Sequence, residues 1–223
     1  MILLNHQPHY LPSVQYFARI RDADHFVLAD DVQYCKQDWQ NRNRVLTPNG
    51  IQWLVVPVYQ KTVELICEKR ICWEKDWRSK HLNTLRGAYR RAPGWKFVAE
   101  LLDCALASKP QLLVGVIKPA LEWLLDFLDL DTKVRWATQL GLSSTNPNER
   151  LAAQCRMLGC GTYMHGQDNA GYFDPSYFEG LSLREHRWAP IPYDQMWSSE
   201  FVANLSVVDL IANKGKDAVA FLG

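Results

Sequence analysis

The chain has 223 residues, with 25 Lys and Arg against 24 Asp and Glu, so its net charge is only +1. That balance excludes a basic footprint spread over the whole protein for nucleic acid or an anionic membrane surface. The length suffices for one sizeable core, and no apolar run reaches the roughly 18 residues that span a bilayer.

Taken in order, the apolar run Met1 to Leu4 leads directly into His6-Gln7-Pro8-His9-Tyr10-Leu11-Pro12. It reads as a buried strand rather than a secretory leader, and the chain is expected to be soluble and cytoplasmic. Ser13 to Arg21 carries Val14, Phe17 and Ile20 at helical spacing, and Phe26-Val27-Leu28 reads as a second strand. Strand, helix, strand normally joins parallel strands, and ligands then bind beyond their C-terminal ends. The polar stretches 6–10 and 30–34 should therefore face one crevice. Asn41-Arg42-Asn43-Arg44 follows as a turn-like, fork-bearing segment.

Gln52 to Val58 reads as a strand, and the alternating stretch Leu65 to Ile71 pairs with it as an antiparallel ribbon. Trp77 to Arg91 is a predicted helix stopped by Pro93-Gly94. A helix capped at Ser108 carries the stripe Leu112 to Leu125, with Pro119 expected to kink or split it. Val134 to Ala137 and Thr162 to Met164 read as strands flanking a helix with Asn146 at its cap, Pro147 at its first position and Gly159 at its end. Leu181 to Leu183 is a last strand, and Phe201 to Asn213 a last helix. The expected fold is one α/β domain over residues 1–223, with a mostly parallel (mixed) sheet and flanking helices.

The six cysteines form no CxxC pair and have no histidines at zinc-finger spacing, so neither a structural zinc nor a disulfide is expected. There is no GxGxxG, Walker loop or GxSxG elbow, and the sequence names no cofactor. His6, Gln7 and Tyr10 offer a general base, an amide and a phenol on a Pro-stiffened turn. Of the adjacent Asp30 and Asp31, which point to opposite sides, Asp31 is expected to face the crevice beside Gln33. Arg42 and Asn43 provide a grip for a carboxylate or phosphate. His81 shares its helix face with Trp77, Leu85 and Tyr89, and is either a bonded core residue or the helix's contribution to the cleft. His165 and Gly166 open a loop rich in hydrogen-bonding groups that runs to Tyr172. His6 and His9 also have the spacing of nucleotidylyltransferase HxGH loops, although Pro8 stands where that motif has Gly.

These residues resemble the WbqC-like proteins. The matching stretches are 6–12, Ala-Asp-Asp-Val-Gln-Tyr (29–34), Asn-Arg-Asn-Arg (41–44) and Trp-Leu-Val-Val-Pro-Val (53–58). They continue with Lys80-His81, Tyr89-Arg-Arg-Ala-Pro, Thr-Tyr-Met-His-Gly (162–166) with Tyr172, and Asn-Leu-Ser-Val-Val-Asp-Leu (204–210) with Asn213-Lys-Gly. The resemblance covers nearly the whole chain. It implies a setting in bacterial O-antigen and related surface-polysaccharide synthesis, not a mechanism. The chain departs from the pattern at His9, where members often carry Asn, which leaves His6 as the candidate base.

Two function classes follow. One is a transferase that adds an acyl or aminoacyl group to a nucleotide-linked or carrier-linked sugar. In it His6 is the base, Asp31 orients, Arg42 holds an anion, and Gln7, Tyr10, Gln33, Asn43, Gly166 and Tyr172 bind substrate. The other is a non-catalytic module that binds a sugar nucleotide or scaffolds partners in that pathway. The expected partner is a small-molecule or carrier-linked sugar, with no nucleic acid and no membrane span. A homo-oligomer is compatible with either class.

Overall fold

The computed structural model describes residues 1–60, 63–142, 144–166, 171 and 173–223. The apolar runs at both ends of the α1 crossover form the middle of a five-stranded sheet. β1 (Ile2–His6), α1 (Val14–Arg21) and β2 (His25–Leu28) come first; β5 (Lys133–Trp136), β6 (Thr162–His165) and β7 (Ser182–Glu185) complete it. The strand order is β5-β2-β1-β6-β7, and every pairing is parallel. β2 is buried along its whole length, as a strand covered on both faces should be.

Side-chain alternation along the strands divides the core in two. Leu4, Phe26, Leu28 and Met164 join α1, α2 (Trp77–Tyr89), α3 (Trp95–Ala105), α4 (Val114–Phe127) and α7 (Val207–Lys214) on one face. Leu3, Val27 and Tyr163 pack against α5 (Ala137–Leu140) and α6 (Pro147–Met157) on the other. A two-stranded antiparallel ribbon, β3 (Arg42–Thr47) and β4 (Gly50–Val55), inserts Val45 and Leu54 into the first core. The result is a single α/β domain. No described helix is long and apolar enough to cross a membrane.

Several local expectations shift. Residues 41–44 are not a turn, because Arg42, Asn43 and Arg44 open β3 against β4. Leu65 to Ile71 holds a single helical turn over Ile66–Glu68, and meets the ribbon's end only through the Val58–Ile71 bridge. There Lys69, almost fully buried, pairs with Glu64 at 2.8 Å, so the polar alternation belongs to an interior ion pair rather than to a strand. α4 runs unbroken through Pro119 and begins at Val114, later than the Ser108 cap. α3 went unread in the sequence although Val98, Leu101, Leu102 and Ala105 make a helical stripe. It starts at Gly94, where a Cβ would fall 1.9 Å from the Ile211 carbonyl oxygen, so only glycine lets α3 approach α7 this closely. Asn146 caps α6 by accepting from the backbone N–H groups of Asn148 and Glu149, and Gly159 follows that helix with φ of 67°.

Candidate functional site

β1 and β6 lie side by side, but the chain reaches β2 on one side of β1 and β6 on the other. The crevice between their C-terminal ends is the topological switch point, where open α/β sheets bind ligands. A cleft of about 730 Å³ opens there. Its floor is Asn5 and His6 at the end of β1 with Gln7 beyond, His165 at the end of β6 with Gly166 beyond, and Arg19 reaching in from α1; its walls include Arg150 of α6 and Arg44 of β3.

The loop leaving β1 is held from behind. Leu11 is fully buried with φ of 43°, a left-handed conformation that costs a branched side chain energy. Neighbours pin it there: Asn43 Nδ2 donates to the Leu11 carbonyl at 2.8 Å and to that of Tyr10 at 3.3 Å, and Ser206 Oγ donates to Leu11 at 2.7 Å. Tyr16, also buried, donates its hydroxyl to the Gln7 carbonyl at 3.0 Å, and Gln40 Nε2 donates to Gln7 Oε1 at 2.7 Å. The first shell is thus set by α1, β3 and the segment before α7 together.

His6 and His165 end adjacent strands and carry the same tether. Nδ1 of His6 lies 3.1 Å from the Gln7 carbonyl, and Nδ1 of His165 lies 3.0 Å from the Gly166 carbonyl. A carbonyl only accepts, so Nδ1 holds the proton in both rings and the neutral tautomer leaves Nε2 as an acceptor. In His6 that acceptor is occupied, since Arg19 Nη1 donates to it at 2.7 Å. A Cβ placed at Gly166 would lie 3.7 Å from Arg19 Nη2, so the same guanidinium also reaches the end of β6. Among the described residues, Nε2 of His165 has no hydrogen-bond partner. Burial, reinforced by Arg19, lowers the His6 pKa to about 4 against the opposing Gln7 carbonyl. Burial, with His6 and Arg19 nearby, holds His9 well below the usual histidine range. Both rings are neutral near pH 7.

Of the residues singled out in the sequence, His6, Gln7, Asn43 and Gly166 line the cleft. The Asn43 amide is committed to the loop's backbone. Asp31 sits beside the wall, its carboxylate 3.8 Å from Arg150, while Asp30 turns away and takes the backbone N–H and hydroxyl of Thr138 at the start of α5. Arg42 does not line the cleft. It donates to the Gln37 carbonyl and lies 4.3 Å over the Trp53 ring. Arg44, two residues further along β3, is the arginine of this stretch that reaches the cavity. Gln33 is exposed and bridges to Leu65. Tyr10 and His81 are buried against each other, with the Tyr10 hydroxyl 3.1 Å from His81 Nδ1 and burial lowering the His81 pKa to about 4. That pair is core rather than cleft. Tyr172 lies outside the described residues.

Sequence reasoning missed Arg19, Arg44, Arg150 and His165 as wall and floor residues. The two on helices, Arg19 and Arg150, look like ordinary solvated charges. Only His165, at the end of a strand beside β1, carried a readable signal. Among the described residues, no group of three or more His, Cys, Asp or Glu is placed to hold a metal ion.

Residues 7–221 match the WbqC-like protein family. The chain belongs to that family. This WbqC-like chain is also 30% identical over 229 residues to uncharacterized protein Rv1507c of Mycobacterium tuberculosis (strain ATCC 25618 / H37Rv), with 97% of this chain and 95% of the relative covered. No solved structure matches it significantly. The matched span includes both histidine-bearing strand ends except His6 itself, which immediately precedes it.

Proposed function

We propose that this WbqC-like protein is a group transferase that places an acyl or aminoacyl group on a sugar or amino sugar, in the synthesis of bacterial surface polysaccharide (O-antigen) or a related glycoconjugate. The observation that carries this reading is the tethered His165, which lines a 730 Å³ cleft at the switch point and whose Nε2 has no hydrogen-bond partner among the described residues. An imidazole held in place through Nδ1, with Nε2 turned to accept, is what acyl transfer to an amine or hydroxyl requires. The acceptor attacks the donor's carbonyl carbon, its proton passes to His165 Nε2, and the ring returns that proton to the leaving group as the carbonyl re-forms. His6, with its Nε2 already accepting from Arg19, positions that guanidinium at the floor instead of taking a proton. Asp31 restrains Arg150 from behind.

The test incubates purified protein with amino sugars, free and activated, and a panel of acyl and aminoacyl donors, followed by mass spectrometry. A mass gain equal to the transferred group is expected, and His165→Gln should reduce its rate by roughly 10²–10⁴-fold. Sugar binding without conversion for any donor would favour the non-catalytic sugar-binding reading.

A further inference from the structure

Three guanidinium groups reach the cleft from three separate elements: Arg19 on α1, Arg44 on β3 and Arg150 on α6. Among the described lining residues the only carboxylate is Asp38. The wall is therefore rich in guanidinium groups in a chain whose total charge is only +1. Arg44 donates its Nε to the Asn204 carbonyl at 3.0 Å, and among the described residues its two terminal nitrogens make no hydrogen bond. Arg150 meets Asp31 at 3.8 Å, and among the described residues its guanidinium makes no hydrogen bond. Trp39 lies 5.7 Å from the Arg44 guanidinium and also lines the cavity, so an aromatic surface stands beside the cationic wall.

We infer that the cleft binds the diphosphate of an activated sugar through Arg44 and Arg150, with Arg19 at the floor. This rests on the transferase reading and names its substrate class. Planar forks match phosphate oxygens two at a time, and a diphosphate diester offers one phosphate group to each of the Arg44 and Arg150 forks. A single carboxylate would engage only one of the two. The volume falls within the range of roughly 300–1,000 Å³ that holds small-molecule ligands, enough for the diphosphate and an attached sugar. The rest of the ligand is a nucleoside or a lipid carrier, and the diphosphate is common to both.

The experiment titrates the full chain with inorganic pyrophosphate by calorimetry. Binding at one site is expected, weakening as salt is raised. Arg150→Met and Arg44→Met should each weaken it on the order of tenfold or more, and Arg150→Lys by less, since charge survives without the fork. Two variants on different elements, each checked to melt near the parent, guard against a folding defect. A nucleoside diphosphate sugar and a short-chain prenyl diphosphate sugar form the other arms, and the source is whichever binds more tightly than pyrophosphate. Failure of pyrophosphate to bind, or equal binding by both Met variants and the parent, overturns the inference, as does a pair of arms neither of which improves on pyrophosphate. Pyrophosphate binding without any group transfer would instead sink the transferase reading and leave the subsite standing. Transfer that is indifferent to Arg44 and Arg150 would do the reverse.

Discussion

His6 and His165 share a backbone tether, so what separates their roles is the occupant of Nε2. A base whose lone pair already accepts from a guanidinium at 2.7 Å must break that bond before it takes a proton. One facing open cleft does not. Taking His165 as the base, His165→Gln should slow turnover far more than His6→Asn does, because the amide keeps a hydrogen-bonding group but accepts no proton near neutrality. His6→Asn should raise KM more than it lowers kcat, since it releases the Arg19 guanidinium that His6 holds. The reverse pattern, with His6→Asn abolishing turnover, would return the base to His6. The sequence made the chemistry of His6 visible because a strand end beside Pro, Gln and Tyr is an unusual place for it. It hid the neighbour that changes that chemistry, since Arg19 lies thirteen residues away on a helix that could equally have faced solvent.

Elements, rather than single residues, hold the cleft's shape. The loop after β1 keeps a buried leucine at φ of 43° because Asn43 on β3 and Ser206 before α7 grip its carbonyls. Asn43→Ala strips two of those bonds from a buried site and should cost about 1–3 kcal/mol in urea unfolding, with pyrophosphate or sugar binding weakened as the loop relaxes. Unchanged stability would mean the loop holds its conformation without help. Further along, Asp209 of α7 accepts from the hydroxyls of Tyr89 and Tyr193 and from Gln195, which staples the arm before α7 to the core and sets Asn204 at the cleft wall. The β1–α1–β2 unit was legible from its apolar runs, and α6 from its cap. α7 was read six residues too early because Phe201 and Leu205 extend its apolar pattern backwards, whereas the true cap is Ser206, whose side chain accepts from Val208. The role of Asn43 was not legible at all: a carboxylate grip and a loop staple use the same amide, and only the partner tells them apart.

Across the whole molecule, histidines are a liability toward acid. Five of the six have pKa values lowered, each with burial as the leading cause: His6, His9, His25, His81 and His186. In the unfolded chain these rings titrate near the usual 6.5, whereas His6 and His81 in the native state wait until about 4. Above the unfolded value both states are neutral and stability is complete. As pH falls through that value the unfolded chain takes up protons that the native chain refuses, so stability drains away until about pH 4, where the native rings protonate too. His81 is the cleanest case: it is buried, its Nδ1 lies within hydrogen-bond distance of the Tyr10 hydroxyl, and a shift of this size corresponds to about 2 kcal/mol lost by about pH 5. One carboxylate opposes the effect: burial raises the Asp209 pKa, so it takes up a proton in the folded chain first and favours the fold in acid, which is why His81→Gln, compared with the parent, isolates the histidine's share. Urea unfolding at about pH 7 and about pH 5 should show the parent markedly less stable in acid. His81→Gln, which retains a donor and an acceptor but no titrating ring, should lose less between the two. A parent equally stable at both values, and no different from His81→Gln, would show that its buried histidines protonate in the folded state, and with that the neutral His6 and His9 rings would fall as well.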